Sequence, residues 1–189
     1  MKIQLIIGST RPGRVGPQIA DWLVANLPTQ KLNEYEIIDI ADYNLPLFDE
    51  PAHPSMSQYT KTHTNAWSQK IKEADAYIFL TPEYNASVPA ALKNAIDYLF
   101  HEWTDKPVLI ASYGVHGGQT ASAHLRDVAI RLKMRPTDFS PAFAVTREMS
   151  GEDGKIKDIS EAFEPYVSML KEAGDELLSI GTTREAVIA

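Results

Sequence analysis

Short apolar runs alternate with amphipathic stripes along almost the whole chain, and that alternation limits the possible folds more than any other feature. Lys2 to Ile7 is a near-continuous apolar run. Val15, Ile19, Trp22 and Leu23 follow at helical spacing, and Pro28 stops that helix. Glu36 to Ile40 reads as a second strand. Ala76 to Leu80 is apolar throughout and is expected to be buried on both faces. Val108 to Ala111 is a fourth strand and Thr137 to Val145 a fifth, in which Pro141 demands an edge or a bulge. Between them lie a short helix around Trp67 and Ile71 and a clean stripe of Val88, Ala91, Leu92, Ala95, Ile96 and Leu99. Pro89 suits the first turn of the latter helix, where its missing N–H costs nothing. Ala121, Leu125, Val128, Ala129 and Leu132 mark the next helix. Asp158 and Glu161 form a capping-box-like start to the last, whose stripe is Ile159, Ala162, Phe163, Tyr166 and Leu170.

Five strands alternating with five helices predict an α/β fold with a parallel sheet covered on both faces. Residues 1–189 read as one domain, large enough to bury roughly 70% of its unfolded surface. Residues 181–189 are expected to be a loosely ordered tail. The loop 41–64, with Pro46, Pro51 and Pro54, is longer than a connector needs. The chain has no cysteine, which excludes disulfides and thiolate chemistry. A net charge of −7 argues against a nucleic-acid partner, which would demand a basic face. No signal peptide and no apolar stretch near the ~20 residues of a membrane helix is visible, so the expected compartment is the cytoplasm. No His, Asp or Glu spacing suggests a metal site.

Three segments carry the chemistry, each directly after a strand. In an open parallel sheet, ligands bind beyond the carboxyl ends of the strands, where strand order reverses. The first segment is Gly8-Ser9-Thr10-Arg11-Pro12-Gly13-Arg14-Val15-Gly16, between the first strand and its helix. Backbone N–H groups at a helix start favour an anion, hydroxyls can donate to it, and arginines can fork onto phosphate oxygens. It is not a dinucleotide fingerprint, because Ser9-Thr10 does not supply the second glycine. It is also a near miss for a Walker A loop, with Arg14 and Val15 in place of the lysine and the metal-holding hydroxyl. The second segment, Thr81-Pro82-Glu83-Tyr84-Asn85, suits either a planar heterocycle or a simple proline-initiated turn. The third, Ser112-Tyr113-Gly114-Val115-His116-Gly117-Gly118, allows close backbone approach to a ligand, or its glycines serve only left-handed turns. His116 can donate a proton or simply face solvent. Tyr98, Phe100 and Trp103 are either an exposed interface group or core.

Together these segments resemble the NADPH-dependent FMN reductase family of flavodoxin-like flavoproteins. The matches are Gly8 to Arg14, Thr81 to Asn85, Pro89-Ala90-Ala91-Leu92-Lys93-Asn94-Ala95-Ile96-Asp97, Lys106-Pro107, Ser112-Tyr113-Gly114, Gly117-Gly118, and Leu45-Pro46-Leu47-Phe48-Asp49-Glu50-Pro51. The resemblance covers roughly residues 1–145. It implies a flavodoxin-like three-layer sandwich with strand order 2-1-3-4-5, the arrangement in which flavodoxin holds FMN between its first and third strands. It implies that Ser9, Thr10, Arg11, Arg14, Val15 and Gly16 hold the FMN phosphate. Many family members have a serine and an asparagine where this chain has Val15 and Gly16. It further implies that Pro82, Glu83, Tyr84 and Asn85 run along the isoalloxazine ring, mostly through backbone atoms. Ser112, Tyr113, Gly114, Gly117 and Gly118 would flank its other edge. The activity implied is hydride transfer from NADPH or NADH to FMN and on to a flavin, quinone, azo or metal-ion acceptor. No side chain is implied as catalytic acid, base or nucleophile, since the cofactor carries the chemistry. A homodimer or homotetramer is implied. The alternatives are a flavodoxin-type electron carrier and a flavin-binding regulatory protein on the same fold.

Overall fold

In the computed structural model, which describes residues 1–29 and 33–188, four long strands lie parallel and in register. They are β1 (Lys2–Ile7), β2 (Glu34–Asp39), β3 (Ala76–Pro82) and β4 (Pro107–Gly114). Strand order is β2-β1-β3-β4, with two short strands, β5 (Arg135–Pro136) and β6 (Ala142–Ala144), both paired to β4. The register places Ile7 opposite both Asp39 and Leu80, and Pro82 opposite Tyr113. All four carboxyl ends therefore finish on one rim, and the chain reverses direction across the sheet between β1 and β3. The expected order 2-1-3-4-5 holds, with a sixth strand added.

The period of two along each strand builds two cores. Ile3, Leu5, Ile7, Ala76, Ile78, Leu80, Leu109 and Ala111 face one side, where α1 (Gly16–Asn26), α5 (Ile159–Phe163) and α6 (Val167–Ile188) cover them. Ile6, Tyr77, Phe79, Val108 and Ile110 face the other, under α2 (Thr62–Lys72), α3 (Ala90–Asp97) and α4 (Gln119–Arg131). β3 has no exposed residue, as its apolar run predicts. Tyr98 and Trp103 are fully buried on the second side, so two of the three aromatic residues read as a possible interface group are core. The Trp67 and Trp103 indole N–H groups donate to the Ala95 and Ile96 carbonyls, at 2.8 and 3.2 Å, which makes that burial affordable for polar-tipped rings.

Three expectations are corrected. The fifth strand is not continuous. Between β5 and β6, the N–H groups of Asp138 and Phe139 turn away from β4 and donate to the Glu176 carboxylate of α6, at 2.6 and 3.2 Å. Pro141 has no N–H to offer and contributes only its carbonyl, which accepts from Ser112 N at 2.9 Å. The last helix is broken at Pro165 into α5 and α6, although Asp158 caps α5 as expected by accepting from Glu161 N. α6 carries helical backbone across 181–188, where a loose tail was expected, and Ala189 lies outside the described residues.

The loop 41–64 is also more ordered than its composition suggests. Two 3₁₀ turns, Ile40–Tyr43 and Pro54–Met56, interrupt it. The Asn94 side chain of α3 holds it by accepting from Phe48 N and donating to Pro46 O, at 2.9 and 2.6 Å. The Tyr98 hydroxyl reaches Pro46 O and Asp49, each at 3.1 Å. Glu50, buried, accepts from Thr60 N, Thr60 Oγ1 and Lys61 N at 2.8–2.9 Å and so anchors the entry to α2.

Burial opposes the charge on Glu50, but these donors outweigh it and hold its carboxyl down at about 2. A depressed folded value means stability that is present above the ordinary carboxylate range and is lost as pH falls toward the folded value. Glu50→Gln should therefore cost about 1 kcal/mol near neutral pH, the usual loss for a helix-entry acceptor. The gap in melting temperature between wild type and variant should close as pH falls from about 4.5 toward about 2. Thermal melts across that range check both; a gap that stays constant with pH would contradict the charge argument.

Candidate functional site

The first segment leaves β1 pressed against its neighbours. Gly8 N donates to Leu80 O at 2.8 Å, and Ser9 is fully buried. The Ser9 hydroxyl accepts from the Tyr113 hydroxyl of β4 at 3.2 Å. That bond spans the end of β3 and ties the first loop to the third. A Cβ on Gly16 would lie 2.6 Å from Ser9 Oγ and 3.1 Å from Tyr113 Oη, so only glycine lets α1 start this close to the pair. Burial pushes the Tyr113 phenol up to about 12, which keeps its proton in place for Ser9.

Above that floor the loop is open. Thr10 and Arg11 are exposed, and the Arg11 side chain has no partner among the described residues. The α1 helix begins after Val15 with no side-chain cap, no acidic residue in its first turn, and Pro17 near its start. Its first N–H groups therefore await an acceptor, at the positive end of the helix dipole. Arg14 is half-buried, and its guanidinium Nη2 grips Asp39 at the end of β2, while its Nε is buried with no partner. Asp39 also accepts from Ala41 N at 3.0 Å. Asp39 was not singled out in the sequence; its place at the carboxyl end of a strand on the same rim is the signal that would have found it.

The second segment folds into a tight hairpin. Tyr84 and Ser87 exchange main-chain bonds of 2.9 and 3.1 Å, with Asn85 and Ala86 at φ of 51° and 60°. Those angles define a type I′ turn. Left-handed backbone costs a residue with a side chain about 1–2 kcal/mol, and here two such residues stand together on the rim. Pro82 is buried, whereas Tyr84 is 38% exposed. The Glu83 side chain points away from the hairpin: its Oε2 accepts from Thr120 N and Ala121 N, at 3.0 and 3.1 Å, and caps α4. Glu83 N is engaged by Tyr113 O at 3.1 Å.

In the third segment the Ser112 hydroxyl donates to Gly117 O at 2.8 Å, and Gly117 N donates to Gly114 O at 3.0 Å. Gly118 has φ +74°, and a Cβ there would sit 2.9 Å from Tyr113 O, so the loop can fold back on its own strand only through glycine. Val115 and His116 are left exposed at the tip. The three segments thus meet on one rim, but the side chains of Glu83, Ser112 and Tyr113 are spent on shaping it. The rim offers main-chain groups, the Thr10 hydroxyl and two arginines, with the buried Ser9 hydroxyl beneath them.

Tyr113→Phe should leave the buried Ser9 hydroxyl short of its donor, at a cost of about 0.5–1.5 kcal/mol. A denaturant midpoint lowered at unchanged slope checks it; an unchanged midpoint would mean that this cross-rim bond contributes nothing to holding the loops together.

The chain is similar to known proteins in fold and in sequence. An oxidoreductase from Corynebacterium diphtheriae superposes with a TM-score of 0.71 at 16% identity, covering 96% of this chain and 97% of that one. The flavoenzyme NAD(P)H:(acceptor) oxidoreductase of Paracoccus denitrificans superposes at 0.68 with 21% identity, covering 93% and 97%. At these identities the likeness establishes the fold. In sequence, an NAD(P)H-dependent FMN reductase of Schizosaccharomyces pombe is 42% identical over 177 residues, 92% of this chain and 84% of its own length. A quinone reductase of Escherichia coli is 34% identical over 138 residues, 70% of this chain and 71% of its own. The NADPH-dependent FMN reductase family matches residues 1–147, which include all three rim segments, and the chain belongs to that family.

Proposed function

We propose that the three rim segments hold FMN, with the phosphate at loop 8–16 and the ring between the Tyr84–Ser87 hairpin and the loop 112–118. Membership of the family makes the chain an oxidoreductase that uses FMN and NAD(P)H. The observation that carries the assignment of residues is the set of donors left without acceptors at loop 8–16. Arg14 Nε is buried and unpaired, the α1 start is uncapped, and Arg11 is free. Ser9 accepts from Tyr113, which leaves its own proton to donate. A phosphate supplies the acceptors all of these lack. When bound, FMN supplies a ring that accepts hydride from a nicotinamide and yields it to an acceptor. The protein's part is to place that ring and to leave one face open. The hairpin supports this: its tip N–H groups on Asn85 and Ala86 make no main-chain bond, and its strained turn is rigidly closed.

Quinones are the acceptor class favoured, alongside free flavin, because the quinone reductase of Escherichia coli is a relative at 34% identity. FMN-loaded protein mixed with NADPH and a quinone should consume NADPH continuously. Consumption of a single equivalent would mean an electron carrier or a flavin-binding regulator instead. Among the described residues no helix is long and apolar enough to cross a membrane, and we place the protein in the cytoplasm.

A symmetric homo-oligomer is part of the same reading. A cleft of about 570 Å³ lies between loop 46–56, α3 and α4, and is lined by Phe48, Leu99, Phe100 and Val128. Lys93 and Asp97 on α3, with Asp127 and Arg131 on α4, also line it and give both helices both signs of charge. A two-fold axis through such a face brings unlike charges together. Leu47, 83% exposed, stands on the pinned loop beside it.

Arg11→Ala should remove a charge-assisted contact of about 1.5–3 kcal/mol and weaken FMN binding about ten- to a hundredfold. Arg11→Lys should restore only part of that, because lysine lacks the fork. A fluorescence titration checks both; unchanged affinity in the alanine variant would show that Arg14 and the backbone suffice. Phe100→Glu should dissociate the oligomer and slow quinone turnover, since burying an unpaired carboxylate is costly. Light scattering and a quinone assay report the two effects; a wild-type protein that is monomeric at micromolar concentration and fully active would refute the shared face.

A further inference from the structure

Asp39 stands on the rim as the last residue of β2, opposite Ile7 at the end of β1. Its two carboxylate oxygens go to different partners. Oδ1 accepts from Ala41 N at 3.0 Å and caps the 3₁₀ turn Ile40–Tyr43. Oδ2 takes Arg14 Nη2. Nε and Nη2 form one edge of a guanidinium, spaced to meet both oxygens of a single acidic group. A carboxylate with no other partner would close that edge with two bonds. Asp39 closes half of it, because the turn holds its other oxygen. Arg14 Nε is therefore left buried and without a partner. Both side chains are only 18% exposed, so solvent screens the pair little. The loop ties Arg14 down from the other side. Arg14 N donates to Arg11 O at 3.2 Å, in a turn whose Gly13 has φ 71°. Burial raises the Tyr113 phenol, and the Arg14 and Arg11 charges pull against that rise. Both guanidinium charges thus act on the Ser9–Tyr113 floor of the loop.

We propose that Asp39 is a positioning residue for the flavin phosphate: it holds Arg14 by one nitrogen and keeps the adjoining Nε open for a phosphate oxygen. The proposal rests on the reading that loop 8–16 holds that phosphate. By charge alone, a carboxylate here opposes binding. A terminal phosphate carries about −1.5 to −2 charges near neutral pH, and Asp39 repels it. Orientation works the other way. An arginine already held at a fixed angle has less freedom to lose when it takes an anion, and removing that ordering cost raises affinity. The two effects have opposite signs, so a variant that removes the charge and the hold together tells which one wins. Asp39→Asn is that variant. Asparagine has one acceptor oxygen, enough to keep Ala41 N capped. With that oxygen on Ala41 N, it presents to Arg14 an NH₂ group that cannot accept.

The test is fluorescence titration of the full-length protein with FMN and with riboflavin, which lacks the phosphate. Four proteins are compared: wild type, Asp39→Asn, Arg14→Ala and the double variant. In Asp39→Asn the preference for FMN over riboflavin should fall about tenfold, with riboflavin affinity unchanged. Arg14→Ala should lower that preference at least as much. Adding Asp39→Asn to Arg14→Ala should lower it no further, because Asp39 acts through Arg14. A preference that rises in Asp39→Asn would mean that the carboxylate only repels, and an unchanged one that Arg14 needs no holding; either overturns the proposal. A further fall in the double variant overturns it too, since Asp39 would then act without Arg14. Should the double variant fail to fold, the sign of the Asp39→Asn change still decides between orientation and repulsion. Equal wild-type affinity for riboflavin and FMN would instead overturn the phosphate assignment of loop 8–16, a separate failure.

Discussion

The position of every group on the rim depends on the burial of β3 between β1 and β4. Each of its residues is covered, and Tyr77 to Leu80 are paired on both sides. A strand enclosed in this way cannot slip by one position without moving its whole apolar set to the opposite face. Its end therefore fixes Pro82 beside Tyr113, and the Tyr84–Ser87 hairpin starts from that fixed point. The bond from Tyr113 to Ser9 crosses the same end and sets the height of the first loop. The scaffold is a set of apolar strands, and the site is what its ends leave uncovered.

The polar groups of the rim divide into two kinds. Glu83, Ser112, Tyr113 and Asp39 are already paired inside the protein, to a helix start, a loop carbonyl, a serine and an arginine. Arg14 Nε, Arg11 and the α1 start are not. Of these, Arg14 Nε is buried, and an unpaired buried donor is costly unless a ligand completes it. The division explains how a site with few committed side chains can still be specific. The paired groups set its shape, and the unpaired ones set the charge it accepts.

Much of this was legible in the sequence. Strands buried on both faces read as unbroken apolar runs, and loops that need left-handed turns or close approach carry glycine, so the sheet and the three rim segments stand out. What was not legible depends on partners far away in the chain. The fifth strand is split because Glu176, more than thirty residues on, takes two of its N–H groups. Loop 41–64 is ordered by Asn94 and Tyr98 on another helix, although its own composition suggests a long free loop. Tyr98 and Trp103, just beyond α3, are core because main-chain and loop oxygens satisfy their polar tips. Asp39 reaches the rim, and Gln18 meets Ile156, only through the topology.

The central claim is that the rim of β1, β3 and β4 is the flavin site and is already formed. Amide hydrogen exchange of the full chain, with and without saturating FMN, tests it most directly. The account predicts slower exchange on FMN binding within residues 9–18, 83–87 and 113–121, and unchanged exchange in β2, α2 and the α3–α4 cleft. Protection centred on that cleft, or none in residues 9–18, would contradict it.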